Sequence, residues 1–142
     1  MPHPLFWVTM TSIILAQLYK VVVESIRERK LKLYRFFETG GMPSSHTAAV
    51  TALATGAWKV EGISSPLFAI TLVFGTYFVF EATGLRQEVG KQARLLNDIL
   101  DELLDTHQLA TEKLRELRGH TWAEVFWGFL LGLATTLIFL RR

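Results

Sequence analysis

The sequence predicts an all-α fold, an integral membrane bundle of about four transmembrane helices with an amphipathic cytoplasmic helical segment. Half of the 142 residues are hydrophobic, and a soluble domain of this length rarely carries so many apolar runs. The runs are at residues 5–23, 45–60, 66–85 and 121–140. Each is near the ~20 residues that a helix needs to cross a bilayer. The length leaves room for a single membrane domain, residues 1–142.

The first two runs differ in composition. The first is interrupted by Gln17 and Lys20, and it lacks both a preceding basic segment and a following small-residue cleavage site. We therefore expect a retained membrane helix rather than a signal peptide. The second run is short and rich in alanine and glycine, a composition that suits close helix packing in lipid.

The third and fourth runs each contain one acidic residue, Glu81 and Glu124 respectively. Ionisable groups are costly inside a bilayer and usually face an interior site with a partner. The fourth run also contains Gly128 and Gly132, whose G-x-x-x-G spacing indicates a close helix contact. We expect that contact either within the bundle or between two protomers of a homodimer.

A polar segment at residues 87–118 separates the third and fourth runs. Its large apolar residues recur at helical spacing, with charged residues between them; they are Leu96, Ile99, Leu100, Leu103 and Leu104. This pattern predicts one or two amphipathic helices that lie on the membrane surface or on the bundle.

The distribution of charge gives an expected orientation. Five basic residues lie between the first two runs: Arg27, Arg29, Lys30, Lys32 and Arg35. Because basic loops stay on the cytoplasmic side, we expect this loop in the cytoplasm and both termini outside, in the inner (plasma) membrane and surrounded by its lipids. A formal net charge of +2 does not indicate a nucleic-acid partner. Cysteine is absent, which excludes disulfides and thiolate chemistry.

The segment Gly40-Gly41-Met42-Pro43-Ser44-Ser45-His46 immediately precedes the second run. Glycines allow backbone N–H groups to turn inward as a nest. Proline is suited to start a helix, and serines cap it or bind an oxyanion. A helix N-terminus also favours negative charge. The segment therefore predicts a phosphate site formed by Gly41, Ser44 and Ser45, with His46 placed to move a proton.

Alternating helix directions bring the unusual polar residues of the chain to one membrane face. They are Lys20 and Arg27 from the first helix, His46 from the second, Glu81, Arg86 and Lys91 from the third, and His120 and Glu124 from the fourth. This set predicts an anion site capable of proton transfer, in which the four cations bind phosphate oxygens and Glu81 supports them. His120 and Glu124 are four residues apart and share a helix face. The carboxylate can therefore orient the imidazole as a nucleophile or base.

A zinc site is the alternative interpretation, since two histidines and a carboxylate (His46, His120 and Glu124) form a known ligand set. The surrounding cations would repel a divalent ion and attract an anion. We therefore expect neither a metal nor another cofactor.

Three blocks of the sequence resemble a known family. They are Gly40-Gly41-Met42-Pro43-Ser44-Ser45-His46-Thr47-Ala48, Glu81-Ala82-Thr83-Gly84-Leu85-Arg86, and Gly119-His120-Thr121-Trp122-Ala123-Glu124-Val125. In order and spacing they resemble the divergent type-2 phosphatidic acid phosphatases, small membrane proteins related to acid phosphatases and vanadium-dependent haloperoxidases. The resemblance implies a metal-independent phosphatase. Its second histidine, here His120, is the nucleophile and forms a phosphohistidine, and its first, here His46, protonates the leaving group.

The chain departs from the motifs of the wider superfamily at several positions. The lysine and arginine of the first motif are present, but Glu28 replaces the proline that follows them. Ser45 replaces glycine in the second motif, and Glu124 replaces aspartate in the third. The Ser-Arg pair of the third motif has no counterpart at the matching positions, and Arg86 is the residue expected to supply its charge.

Two functions follow from these observations. The first is a membrane-embedded phosphatase, a phosphoric monoester or diphosphate hydrolase acting on a lipid phosphate or prenyl (di)phosphate at the bilayer surface. The alternative is a non-catalytic membrane protein that binds anionic lipid headgroups or scaffolds a partner. Vanadate mimics five-coordinate phosphorus, so its tight binding would discriminate the first function from the second.

Overall fold

The computed structural model describes residues 3–37, 41–107 and 119–140. Within these residues the regular elements are all helical, which confirms the predicted fold class. They are α1 (Pro4–Glu28), a short 3-10 helix (Leu33–Phe37), α2 (Ser45–Glu61), α3 (Pro66–Thr83), α4 (Leu85–His107) and α5 (Trp122–Phe139). α1 continues beyond its predicted end at residue 23, and the other three apolar runs each correspond to one helix.

Side-chain caps fix where four of the helices begin. In α1, α2, α3 and α5 the residue before the first helical position accepts a hydrogen bond from a first-turn amide; these residues are His3, Ser44, Ser65 and Thr121. Such caps satisfy amides that have no acceptor inside the helix. One polar side chain therefore defines the start of each of these four helices.

Three helical stretches of the described chain are long and apolar enough to cross a membrane. They are Pro4–Glu28, the continuous stretch Pro66–Asp101, and Trp122–Phe139. α2 has 17 residues, which corresponds to about 26 Å of helix against a hydrocarbon core of about 30 Å. The prediction of a fourth span at residues 45–60 therefore rests on the sequence alone.

α5 packs against α2 through the two glycines of the predicted pair. A Cβ atom on Gly128 would lie 2.5 Å from the carbonyl oxygen of Ser44, and one on Gly132 would overlap the carbonyl oxygen of Ala48. Thr136, one turn beyond, donates a hydrogen bond of 3.2 Å to the carbonyl of Ala52. The glycine pair thus makes a contact within the bundle, which was one of the two expected alternatives.

The basic loop after α1 is tied to the end of that helix. Arg29 ends α1 in the left-handed conformation (φ 52°), and the amide of Lys32 donates to the hydroxyl of Ser25 at 3.2 Å. A hydrogen bond to the carboxylate of Glu28 raises the pKa of Lys32 above its ordinary value. Lys32 therefore remains a cation at physiological pH, as an orienting basic loop requires.

α4 follows α3 after Gly84 alone and covers most of the predicted amphipathic segment. Between its start and its middle it exposes apolar side chains, among them Leu85, Leu96 and Ile99. Residues 108–118 of the predicted segment, and the side chains of Leu103 and Leu104, lie outside the described part of the structure.

Candidate functional site

Three helix ends meet at one face of the bundle, beside the side chain of Lys20 from α1. The amide of Ser44 donates to the carbonyl of Glu124 at 3.0 Å, which joins the starts of α2 and α5. The amide of His120 donates to the carbonyl of Ala82 at 2.9 Å, which joins the start of α5 to the end of α3. The side chains that these contacts bring together are Lys20, Ser44, His46, His120 and Glu124, with Gly41 beside them. We refer to these six residues as the polar cluster.

The δ nitrogen of His120 is bonded, whereas its ε nitrogen has no partner in the described part of the chain. The residue is 2% exposed, and Nδ1 lies 2.7 Å from a carboxylate oxygen of Glu124. An ionised carboxylate only accepts, so the proton of this bond lies on Nδ1, and a neutral ring bonded in this way presents its lone pair at Nε2. Nε2 is buried and has no hydrogen-bond partner among the described residues. This is the tautomer that a histidine nucleophile needs.

Glu124 also closes the start of α5. Its carboxylate accepts the amide of Thr121 at 3.2 Å, and the Thr121 hydroxyl accepts the amide of Glu124 at 3.3 Å. These reciprocal bonds form a capping box, which fixes the position of the carboxylate. The Thr-x-x-Glu spacing is the sequence signal for such a box, so Glu124 has a structural role in addition to its predicted pairing with His120.

His46 lies in the first turn of α2 and is half-buried. Its ring centroid is 5.9 Å from that of His120, with 59° between the ring planes. Two imidazoles at this separation can act on a single phosphoryl group, one as a nucleophile and the other as a general acid.

Lys20 is the buried cation of the cluster. It is 6% exposed, and its ammonium has no hydrogen-bond partner within the described chain. The carboxylate of Glu124 attracts it electrostatically, and its stem passes beneath Gly41, whose Cβ would lie 3.8 Å from the Lys20 Cδ. A buried ammonium is costly unless a partner compensates it. The site is therefore suited to receive an anion.

The segment before α2 differs from its prediction in one detail. Pro43 precedes the helix instead of starting it: Ser44 is the cap and Ser45 the first helical residue. The Ser44 hydroxyl accepts both the amide and the hydroxyl of Thr47, so it is engaged in the cap. The amide of Ser45 has no acceptor inside the helix, and Gly41 adopts a left-handed φ of 80°. Both bonds to Ser44 use oxygen lone pairs, so its O–H, like these backbone amides, can still donate to an anion.

Four other predicted residues contribute less to the cluster, or lie outside the described part. Arg27 is exposed, two helical turns beyond Lys20. Lys91 is exposed on α4 and bonds the carboxylate of Glu88 at 2.6 Å. Glu81 is half-buried in the last turn of α3. The side chain of Arg86 lies outside the described residues, so its role remains a prediction.

Gln87 also contacts the site, although it is not among the predicted site residues. Its side-chain amide donates to the carbonyl of His120 at 2.8 Å across 33 positions of sequence. A glutamine in an amphipathic helix gives no sequence signal for such a contact.

The zinc alternative involves atoms that are already engaged. His120 Nδ1 and a Glu124 oxygen bond each other. Across the described ranges, the histidine, aspartate and glutamate side chains form no group of three or more that could hold a metal ion.

Two apolar grooves run along the bundle from this face. One, of about 760 Å³, lies between α3 and α5 with α2 as its floor; Phe80, Thr47 and Trp122 line the end nearest the cluster, and Trp58 and Ile63 the other end. The second, of about 650 Å³, lies between α1 and α5 and ends at Met42 and Pro43.

Comparison with known proteins identifies a family and a membrane-protein relative. A family model described as "Divergent PAP2 family" matches residues 1–135. The chain is 41% identical over 141 residues to "Uncharacterized membrane protein YuiD" of Bacillus subtilis (strain 168), an alignment that covers 92% of this chain and 89% of that protein. No solved structure matches the chain.

Proposed function

Because the chain belongs to the divergent PAP2 family, we propose that it is a membrane phosphatase that hydrolyses a phosphorylated lipid or prenyl (di)phosphate through a histidine nucleophile. One observation carries the proposal. Two buried groups, Nε2 of His120 and the ammonium of Lys20, have no hydrogen-bond partner among the described residues. One is a nucleophile and the other a cation, and a phosphoryl group would satisfy both.

In the proposed first step, Nε2 of His120 attacks phosphorus while the bond from phosphorus to the leaving oxygen breaks. His46 donates a proton to that oxygen, and Glu124 stabilises the cationic ring of the phosphohistidine. In the second step, water gives a proton to His46 and its oxygen attacks phosphorus. The bond to His120 breaks, phosphate leaves, and both histidines return to their starting states.

The charge that builds on the phosphoryl oxygens needs fixed donors. Lys20 and the amides near Gly41 and Ser45 supply them in this proposal. Arg86 is a further candidate, and Arg27 and Lys91 are secondary ones because their side chains are exposed.

We propose that the lipid chain of the substrate lies in the groove between α3 and α5. Trp122 and Phe80 line the end of the groove nearest the polar cluster. In the sequence, Trp122 is two residues from His120, and Phe80 adjoins Glu81. The substitution Ala54→Phe would fill the floor of this groove. We expect it to raise KM for long-chain substrates and leave short-chain ones unchanged. Leu131→Phe, in the second groove, is the matched control.

The decisive experiment is phosphate release from a panel of lipid phosphates and prenyl diphosphates by the detergent-purified chain in the presence of chelator. The variants His46→Ala and His120→Ala are expected to abolish release, while His107→Ala, the same change at the end of α4, retains it. Release that persists in either of the first two variants would refute the histidine mechanism. No release from any substrate, with folded protein and no tight vanadate binding, would instead support the headgroup-binding or scaffolding alternative.

The cytoplasmic location of this face is also a proposal, supported by the basic loop after α1. The chain contains no cysteine, so single cysteines report topology without background. Lys30→Cys should be protected from a membrane-impermeant maleimide in intact cells, and Ser64→Cys, in the turn between α2 and α3, should be labelled. The reverse pattern would invert the orientation. Cross-linking of the same single-cysteine variants would test the predicted homodimer.

A further inference from the structure

The backbone of His120 is anchored on both sides by the junction between α3 and α4. Its amide donates to the carbonyl of Ala82 at 2.9 Å, and its carbonyl accepts the side-chain amide of Gln87 at 2.8 Å. The amide of Gln87 in turn donates to the carbonyl of Gly84 at 3.0 Å. His120 itself precedes α5, where no helical hydrogen bonds hold it.

Gly119 allows the segment before α5 to lie close to Ala82 and Gln87. A Cβ at this position would lie 2.5 Å from Cγ of Gln87, 2.8 Å from its backbone nitrogen and 3.1 Å from the carbonyl oxygen of Ala82. Two of these three atoms belong to the backbone and cannot rotate away. The segment before α5 therefore packs directly on the first turn of α4, and any side chain at residue 119 would push it away.

Glu124 and the junction between α3 and α4 fix different parts of His120. Glu124 fixes the rotation of the ring through Nδ1, whereas the junction fixes where the backbone that carries the ring lies. An in-line attack on phosphorus requires both, because a misplacement of about 1 Å can cost two orders of magnitude in rate.

We propose that Gln87 is a positioning residue for the nucleophile, acting through the carbonyl of His120 rather than by touching substrate. The inference rests on the proposed phosphatase function. It assigns to the start of α4 a role in catalysis that its amphipathic pattern does not indicate.

The test compares three variants of the full-length chain. Gln87→Met keeps the side-chain volume but cannot donate, and Gln87→Lys keeps a donor at similar length. Asp98→Met introduces a methionine at an exposed position of the same helix. We expect Gln87→Met to lower kcat about tenfold, the worth of one hydrogen bond, with KM within about twofold. Gln87→Lys should restore most of the rate, and Asp98→Met should match the wild type.

Vanadate binding gives a readout that does not depend on turnover, since the bond it forms to Nε2 requires the same alignment. Its affinity should fall in Gln87→Met in parallel with kcat. Wild-type kcat and vanadate affinity in that variant would overturn the inference while leaving the phosphatase proposal intact. Absence of turnover and of vanadate binding in the wild type would instead defeat the proposed function.

If Gln87→Met is not recovered in folded form, Gly119→Ala displaces the same segment by a steric route. A folded Gly119→Ala protein with unchanged kcat would also refute the role of the junction.

Discussion

Replacing Lys20 with methionine should weaken anion binding and at the same time stabilise the protein. Lys20 is 6% exposed, and its ammonium has no hydrogen-bond partner in the described chain. Methionine preserves the stem that passes beneath Gly41 and removes the charge. The two effects have opposite signs because the unpaired ammonium is costly in the empty site and useful in the occupied one.

The magnitudes follow from the burial of the ammonium. A hydrogen bond between charged groups contributes about 1.5–3 kcal/mol, which corresponds to a roughly 10- to 150-fold weaker affinity for vanadate. A buried unsatisfied polar group costs about 1–3 kcal/mol. Loss of the attraction to Glu124 offsets part of the gain. We expect a net stabilisation of about 1 kcal/mol, a rise of a few degrees in melting temperature.

Both quantities can be measured on detergent-purified protein, by vanadate titration and by thermal unfolding without ligand. Lys30→Met is the control, since that exposed cation in the loop after α1 lies outside the polar cluster and should change neither by much. A Lys20→Met protein that is less stable and binds vanadate normally would show that Lys20 serves the fold or extends to the membrane interface, and the reasoning would fail.

Three further perturbations test other contacts. Glu124→Gln keeps the capping box, but its side-chain amide can donate to Nδ1 of His120 and so favour the tautomer that carries the proton on Nε2. Phosphate release should therefore fall by two orders of magnitude or more. An unchanged rate would argue against the orienting role of Glu124. Gly132→Ala should lower stability by about 1–3 kcal/mol because the new methyl group overlaps backbone of α2. Gly75→Ala, where the nearest atom is a Val50 side-chain carbon at 3.3 Å, should cost clearly less in the same unfolding assay; equal losses would contradict the steric argument. Ser44→Ala should destabilise by about 0.5–2 kcal/mol, and Ser44→Asn should recover most of that loss in the same melts.

The fold and the meeting of the histidines could be predicted because both depend on local signals. Apolar runs of sufficient length indicate membrane helices, and the alternation of their directions determines which ends share a face. The i, i+4 spacing of His120 and Glu124 was enough to predict their pairing, since both lie on one helical turn.

The remaining details depend on contacts between residues that are distant in sequence. Nothing near Gln87 indicates that it reaches His120 33 positions away. Lys20 and Arg27 match the lysine and arginine of one superfamily motif. Their burial nevertheless differs, because the packing of α1 buries Lys20 and leaves Arg27 exposed. The Ser44 hydroxyl caps α2 because the helix begins at Ser45, two residues after the proline.

The groove between α3 and α5 determines in which units the concentration of a lipid ligand should be expressed. Its walls are apolar and it adjoins the polar cluster, so under the proposed function a long-chain substrate would reach the site from the bilayer, which is a two-dimensional medium. Occupancy then depends on the number of ligand molecules per lipid in one leaflet and not on molarity. Adding detergent at constant total ligand would lower the rate by surface dilution, whereas raising both at a fixed ratio would leave it unchanged. Constants for such a protein are comparable between preparations only as mole fractions.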